Sequence, residues 1–339
     1  MKKKIIPKFK WKIFFELENI QIEDGDEIKG DDIVIRQIGD KKDKKVKGEI
    51  FFETEYDDNR IISDVEKKLD EFLNITALYH FSIGINSEFI LQKYGYKLEN
   101  HLELIKAGIT PKVKGKLVSN AYTELSQDFL KDLPSRIKTL NKSKYKSNID
   151  YLLKQYRVAY WQDDSFIRYE QLWITFMTML NSLKPNSVWS DKKLINDFAC
   201  GAISTLEKKH VEDILNILSK SAWKYDIMIL GPHMKEEKCG NFIDFLIKIE
   251  IPQWQNPKTY SEELKDLIDE EQKTKKVNNR EKLMKILLCL YGIRNQLFHR
   301  TDYVFNELNI GRMRLACFIF ATVLRVSINS YVAKYTDLR

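Results

Sequence analysis

The sequence predicts an α+β protein, a small β-rich N-terminal domain followed by an all-α helical bundle, and three observations carry this expectation. Residues 11 to 56 alternate short β-branched and aromatic runs (WKIFFEL, DIVIRQI, GEIFFETEY) with polar turns such as EDGDEIKGDD and GDKKDKKVKG, the pattern of antiparallel strands joined by hairpins. From about residue 144 nearly every segment instead repeats its apolar residues every three or four positions, the period of a helix. The chain has 339 residues, 43% hydrophobic and 31% charged with only 13 Gly and 7 Pro, a soluble globular profile with length for about two domains. These domains are expected at 1–140, β-rich with one or more helices, and at 141–339, α-helical, with the boundary inside 115–143.

Taken in order, the N-terminal strands include a lysine run, Lys41 to Lys47, that reads as a solvated hairpin tip. The period changes at Ile61: Ile62, Val65, Leu69, Phe72 and Leu73 share a helical face, with Asp64 placed as a cap. Residues 78–115 are mixed, LYHFSIGI reading as strand and EFILQKYGYKLENHLELIK as closer to helix, until Gly108, Pro111 and Gly115 end the segment. In the second domain Ile149, Leu152, Leu153 and Tyr156 begin the helical pattern. Phe166, Tyr169, Leu172, Trp173, Phe176, Met177 and Leu180 then give a wide apolar face, that of a core helix. Further helices are expected at 191–207, 210–221, 240–249, 260–271, 279–299 and 308–334, divided by Pro185, Gly231-Pro232 and Pro252.

Charge and motif content narrow the function classes. Lys+Arg outnumber Asp+Glu by 56 to 49, and the excess of +7 is too small to identify a nucleic-acid binder by itself. Its distribution says more: residues 1–143 hold 26 basic and 25 acidic residues, leaving 30 and 24 for the remainder, so the second half is the better polyanion surface. Of the 56 cations only 12 are Arg, a lysine bias that codon usage in an AT-rich genome also produces. Cys200, Cys239, Cys289 and Cys317 are far apart and form no C-x-x-C, so neither a disulfide framework nor a zinc knuckle is indicated and reduced thiols in a cytoplasm are expected. The first residues, MKKKIIPKFKWKIFFELEN, lack an uninterrupted apolar stretch and a small-residue cleavage site, so no signal peptide is expected. Leu315 to Ile328 is apolar but is broken by Arg325 and falls short of the ~20 residues of a bilayer span, so it reads as a buried helix and no membrane association is expected. No P-loop or G-x-G-x-x-G fingerprint occurs, and no cofactor is expected.

A histidine is the usual proton carrier at neutral pH, and only five are present. His80 lies in the apolar stretch ALYHFSI and reads as a hydrogen-bonded core or edge residue. His101 and His210 stand at expected helix ends and read as capping or surface residues. His233 is six residues from Cys239, but two ligands do not make a zinc site, and no metal is expected. His299 differs in its surroundings, REKLMKILLCLYGIRNQLFHR, where Leu283, Ile286, Leu287, Leu290 and Leu297 trace an apolar helical face that ends in Arg294, Asn295 and His299. Asn295 and His299 are four residues apart, one turn apart on one face, and Arg294 has the reach to bring its guanidinium towards them. An imidazole, an amide and a guanidinium, with Arg300 beside them, suit a phosphate ligand. Chance supplies an R-x4-H match about 0.2 times in a chain of this composition, and about 0.01 times with Asn required after the Arg. The residues alone leave a plainer arrangement open, with Arg294 paired to an acidic neighbour, Asn295 bonded to backbone and His299 closing a helix C-terminus.

Arg294-Asn295-Gln296-Leu297-Phe298-His299 resembles the R-x4-6-H motif of the HEPN family, whose α-helical bundles often carry a polar residue after the Arg. LLCLYGIRNQLFH resembles that family's motif helix, and SFIRYEQLWITFMTMLNSL its long aromatic early helix. The resemblance covers about 150–339 and is specific around 283–300. The layout, a β-rich part before such a bundle, is similar to that of ApeA-like abortive-infection proteins. Two departures stand out: Thr175, Phe176 and Thr178 occupy the early helix where many members are acidic, and Cys289 and Ile293 replace an E-x-x-x-K found in some.

The resemblance implies a metal-independent endoribonuclease that cleaves RNA by 2′-OH attack, leaving a 2′,3′-cyclic phosphate and a 5′-OH, in toxin-type antiviral defence. His299 would move the proton, Arg294 would stabilise phosphoryl charge, Asn295 would orient the imidazole or the phosphate, and Arg300 would contact substrate. It further implies a homodimer with a composite site and RNA as partner. Because a general ribonuclease must be restrained in its own cell, the N-terminal domain is expected to be a sensing or autoinhibitory module that answers to a phage-derived or host activator or inhibitor. A non-catalytic HEPN domain that binds nucleotide, RNA or a partner protein is the alternative. A third reading is an interaction protein whose β domain recognises and whose bundle only dimerises.

Overall fold

A computed structural model of the chain describes residues 9–18, 20–40, 45–54, 67–68, 70–76, 94–98, 104–105, 123–160, 162, 164–184, 190–219, 241–249, 251, 257–276, 278–299 and 307–336. They form an α+β protein, mostly helical, with an antiparallel sheet near the N-terminus. The chain divides into two compact units, one of Met1–Lys114, Ser119–Trp161 and Thr336–Arg339, the other of Gly115–Val118 and Gln162–Tyr335.

In the first unit, strands β1 (Phe9–Glu18), β3 (Glu27–Lys29), β4 (Ile33–Gln37), β5 (Lys45–Thr54), β6 (Tyr94–Leu98) and β7 (Leu104–Ile105) form one sheet in the order β3-β4-β5-β1-β6-β7. The short β2 (Ile20–Ile22) instead pairs in parallel with β8 (Thr123–Leu125). The three runs legible as strands are β1, β4 and β5, and β1 pairs with β5 from Phe9↔Thr54 to Glu18↔Lys45. Period two explains the burial: Ile33, Ile35, Val46 and Ile50 are buried, while Arg36 donates to Glu27 and, at 2.9 Å, to Glu49 across three neighbouring strands. Of the lysine run, Lys45 to Lys47 already belong to β5, with Lys47 exposed.

Two differences from the sequence reading have physical causes. The segment read as closer to helix contains β6 and β7, because β1 offers an edge on which Leu98 faces Ile13 and Tyr94 faces Leu17, and such non-local pairing overrides a mixed local pattern. The division of the units falls at 161–162 and not inside 115–143, because the first unit holds two helices here, the later of which composition grouped with the bundle. These are α2 (Gln127–Lys142), capped by Ser126 whose Oγ accepts from Phe129 N at 3.1 Å, and α3 (Lys146–Tyr160). Lys29 N donates to Gln127 Oε1 at 2.9 Å, and the buried Arg157 of α3 donates to Asp70 at 2.8 Å. Asp70 lies on helix α1 (70–76), whose Phe72, Leu73 and Ile75 are buried; the cap proposed for it, Asp64, lies outside the described residues.

The second unit is helical: α4 (Ser165–Leu183), α5 (Asp191–Cys200), α6 (Lys208–Leu218), α7 (Phe242–Lys248), α8 (Tyr260–Thr274), α9 (Asn279–His299) and α10 (Glu307–Tyr335). Start signals are explicit: Asp164 Oδ1 accepts from Phe166 N at 2.7 Å, and Thr259 and Glu262 form a reciprocal capping box. Helix α5 ends at Cys200, short of the expected 207, because Gly201 takes φ 94°, a left-handed stop that glycine adopts without strain. Tyr169, Trp173, Phe176, Phe198 and Phe320 form the aromatic centre of the core, with ring centroids 5.4–6.2 Å apart. Among the described residues one stretch, Met313–Tyr335, is long and apolar enough to cross a membrane, but 89% of its most apolar window is buried inside the protein, as a core helix requires.

Candidate active site

The motif lies on α9, which runs unbroken from Asn279 to His299 and buries Leu283, Ile286, Leu287, Leu290 and Ile293. Two contacts fix the turn that precedes the motif. The buried Tyr169 hydroxyl of α4 donates to the Leu290 carbonyl at 2.6 Å, and Gly292 meets Tyr260 of α8 at a separation no side chain could occupy. Burial holds the Tyr169 phenol well above its ordinary pKa, so it remains a neutral donor.

Arg294 is half-buried, and two neighbours position it. Its Nη1 donates to Asn295 Oδ1 at 3.1 Å, and its guanidinium carbon lies 6.0 Å from the ring centroid of Trp173 on α4. The hydrogen bond matters because of helix geometry. At about 100° per residue, Arg294 and His299 are separated by about 140° around the axis, whereas Asn295 and His299 are separated by about 40°. The Asn295 amide therefore draws the guanidinium round towards the face on which His299, the last residue of α9, is placed. Trp173 supports it with a flat, electron-rich surface. Arg300, the proposed substrate contact, lies outside the described residues, as do His80, His101, His233 and Cys239. His210 is a capping residue, its Nδ1 accepting from Glu207 N at 3.1 Å.

Two residues of this neighbourhood were not singled out as site residues from the sequence. The periodicity marks Trp173 only as core, and nothing in the sequence marks Tyr291, 5.9 Å from it between ring centroids. Tyr291 precedes Arg294 by three residues, so helical spacing alone places both on one side of α9. A guanidinium held by an aromatic face and an amide is preorganised for a phosphate, since its fork of donors is oriented before the ligand arrives. Among the described residues no group of three or more His, Cys, Asp or Glu side chains could hold a metal ion. No protein-family model, curated protein or solved structure matches the chain.

Proposed function

We propose that the second unit is a HEPN-like bundle and that the protein is a metal-independent endoribonuclease of toxin-type antiviral defence. The observation that supports this best is the Arg294 guanidinium held by Trp173 and Asn295 on the helix that ends at His299. RNA carries its own nucleophile, so the protein need only move protons and stabilise charge. In the proposed reaction His299 takes the proton of the 2′-OH as its oxygen attacks the adjacent phosphorus, and the bond to the 5′-oxygen breaks. That oxygen leaves with a proton from a second acid, giving a 2′,3′-cyclic phosphate and a 5′-OH. Arg294 neutralises the charge that gathers on the non-bridging oxygens, and Asn295 orients the guanidinium and the imidazole. A homodimer would supply the second histidine as the acid. The cytoplasm is the compartment where such an enzyme meets its RNA, and the N-terminal unit would restrain it until a phage-derived or host signal arrives.

The test is to incubate wild-type and His299→Ala protein with end-labelled single-stranded RNA in excess EDTA, and to assay the product ends for cyclic phosphate. Cleavage by the wild type that the variant loses supports the reading. Cleavage that requires magnesium, or that His299→Ala retains, overturns it.

A further inference from the structure

We infer that the second unit carries a track for single-stranded RNA, leading away from Arg294 over Tyr291 to Lys192; the inference rests on the ribonuclease reading of Arg294 and His299. Five side chains form an unbroken series. The guanidinium of Arg294 lies 6.0 Å from the Trp173 ring, Trp173 5.9 Å from Tyr291, Tyr291 6.4 Å from Tyr260, and Tyr260 5.5 Å from the ammonium nitrogen of Lys192. The series has a buried floor and an accessible upper side. Trp173 and Tyr260 are 4% and 5% exposed, whereas Arg294 and Tyr291 are half-buried and Lys192 is exposed. Arg294, Tyr291 and Lys192, a cation, an aromatic ring and a second cation, are therefore the members of the series that solvent reaches.

That order suits a strand whose phosphates alternate with unstacked bases. A half-open tyrosine ring accepts any base by stacking, and cations on either side hold the flanking phosphates. A duplex keeps its bases stacked on one another and offers no face to the ring. Tyr260 and the carboxylate coupled to it add little bare negative charge. Burial pushes the Tyr260 phenol up to about 12, so it adds no negative charge. Glu263, whose charge reaches Tyr260, is paired with Lys285 at 2.8 Å and is not presented as a bare carboxylate. Lys192 itself sits in the first turn of α5, three residues from Ile195 of the core, so its position is fixed by a well-packed helix.

The experiment measures binding of a fluorescein-labelled single-stranded 2′-O-methyl oligoribonucleotide to the full-length protein by anisotropy, at several salt concentrations. The probe lacks the 2′ nucleophile and is not consumed. Lys192→Ala is expected to weaken binding several-fold and to flatten the salt dependence by about 0.7 in log–log slope, the value of one phosphate contact on a single strand. Tyr291→Leu is expected to weaken binding about tenfold, and Tyr291→Phe, which keeps the ring, to bind as the wild type does. The exposed Lys192 is replaceable without threat to the fold, so that variant decides the matter even if Tyr291→Leu fails to fold. Unchanged affinity and slope in Lys192→Ala, equal loss in Tyr291→Phe and Tyr291→Leu, or no binding by the wild type overturns the track. Binding with the expected variant pattern, in a protein that cleaves no ordinary RNA, supports the track and overturns the ribonuclease reading.

Discussion

Gly292 lies so close to Tyr260 that a methyl group on its Cα would stand 2.8 Å from the ring's Cδ2, and it would meet the Ile251 side chain more closely still. Helix propensity favours alanine over glycine by about 1 kcal/mol in a helix interior. Here the contact decides the sign, since overpacking a buried position costs about 1–3 kcal/mol. Gly292→Ala should therefore destabilise the protein, with a lower denaturation midpoint. It should also reduce the proposed RNA cleavage, because the displaced turn carries Arg294 two residues on. A midpoint equal to or above that of the wild type would show that α8 and α9 yield to the methyl group.

The Arg157–Asp70 pair makes a separate prediction about pH. Burial pushes the Asp70 carboxyl up, but the charge of Arg157 and hydrogen bonds from Lys154 and Arg157 outweigh it and hold the carboxyl below its ordinary value of 3.8. A depressed native pKa contributes stability that is present above the unfolded value, near 4, and is lost as pH falls through the native one. Urea midpoints should thus be insensitive to this pair from neutrality down to about pH 4 and should fall below it. Asp70→Asn should cost about 3 kcal/mol at neutral pH, the low end for breaking a buried pair, because Arg157 is 1% exposed while Asp70 is 23% exposed. The same variant should flatten the acid limb of the stability profile. An acid limb as steep as that of the wild type would assign acid unfolding to other carboxylates.

The thiols report on the core around the motif helix. Burial pushes Cys317 up to about 12 and Cys289 further in the same direction, so neither supplies thiolate at neutral pH, whereas Cys200 is exposed. Alkylation followed by mass spectrometry should modify Cys200 in the native protein and should reach Cys289 and Cys317 only with global unfolding. Modification of Cys289 at the rate of Cys200 would show that α9 opens locally.

What was legible in the sequence, and what was not, follows the range of each interaction. Helix α9 could be read from Asn279 to His299 because Leu283, Ile286, Leu287 and Leu290 repeat within a few residues of one another. Arg294, Asn295 and His299 could be grouped because they lie within six residues on one helix, but the bond from Arg294 to Asn295 could not, since the spacing equally allowed the amide to orient the imidazole or to bond backbone. The support of Arg294 by Trp173 could not be read, since it depends on how α4 packs against α9 across more than a hundred residues of chain. The strand pairing of β6 with β1 and the inclusion of α3 in the first unit escaped for the same reason, the Arg157–Asp70 contact spanning 87 positions. Period reveals which face is buried; it does not reveal against what.

Arg294 offers a test of geometry apart from charge. Arg294→Lys keeps the positive charge but loses the fork that reaches Asn295 and the planar group that lies over Trp173. If orientation matters as proposed, cleavage should fall at least about tenfold in Arg294→Lys, and about 10²–10³-fold in Arg294→Ala, as for removal of a donor to a developing oxyanion. Equal rates for wild type and Arg294→Lys would reduce the role of the residue to a point charge.

The two histidines with described backbone separate structure from chemistry. His210 accepts from Glu207 N at the start of α6 through Nδ1, so His210→Ala should lower stability by about 0.5–1 kcal/mol, the value of an exposed cap, and leave RNA cleavage unchanged. His299 closes α9, and the proposed chemistry gives it the proton. His299→Ala should abolish cleavage while shifting the thermal midpoint little. Because an imidazole titrates near pH 6.5, wild-type cleavage should change across pH 5–8, and His210→Ala should reproduce that profile. A profile that moved with His210 and not with His299 would exchange the roles of the two residues and take the chemistry away from the Arg294 turn.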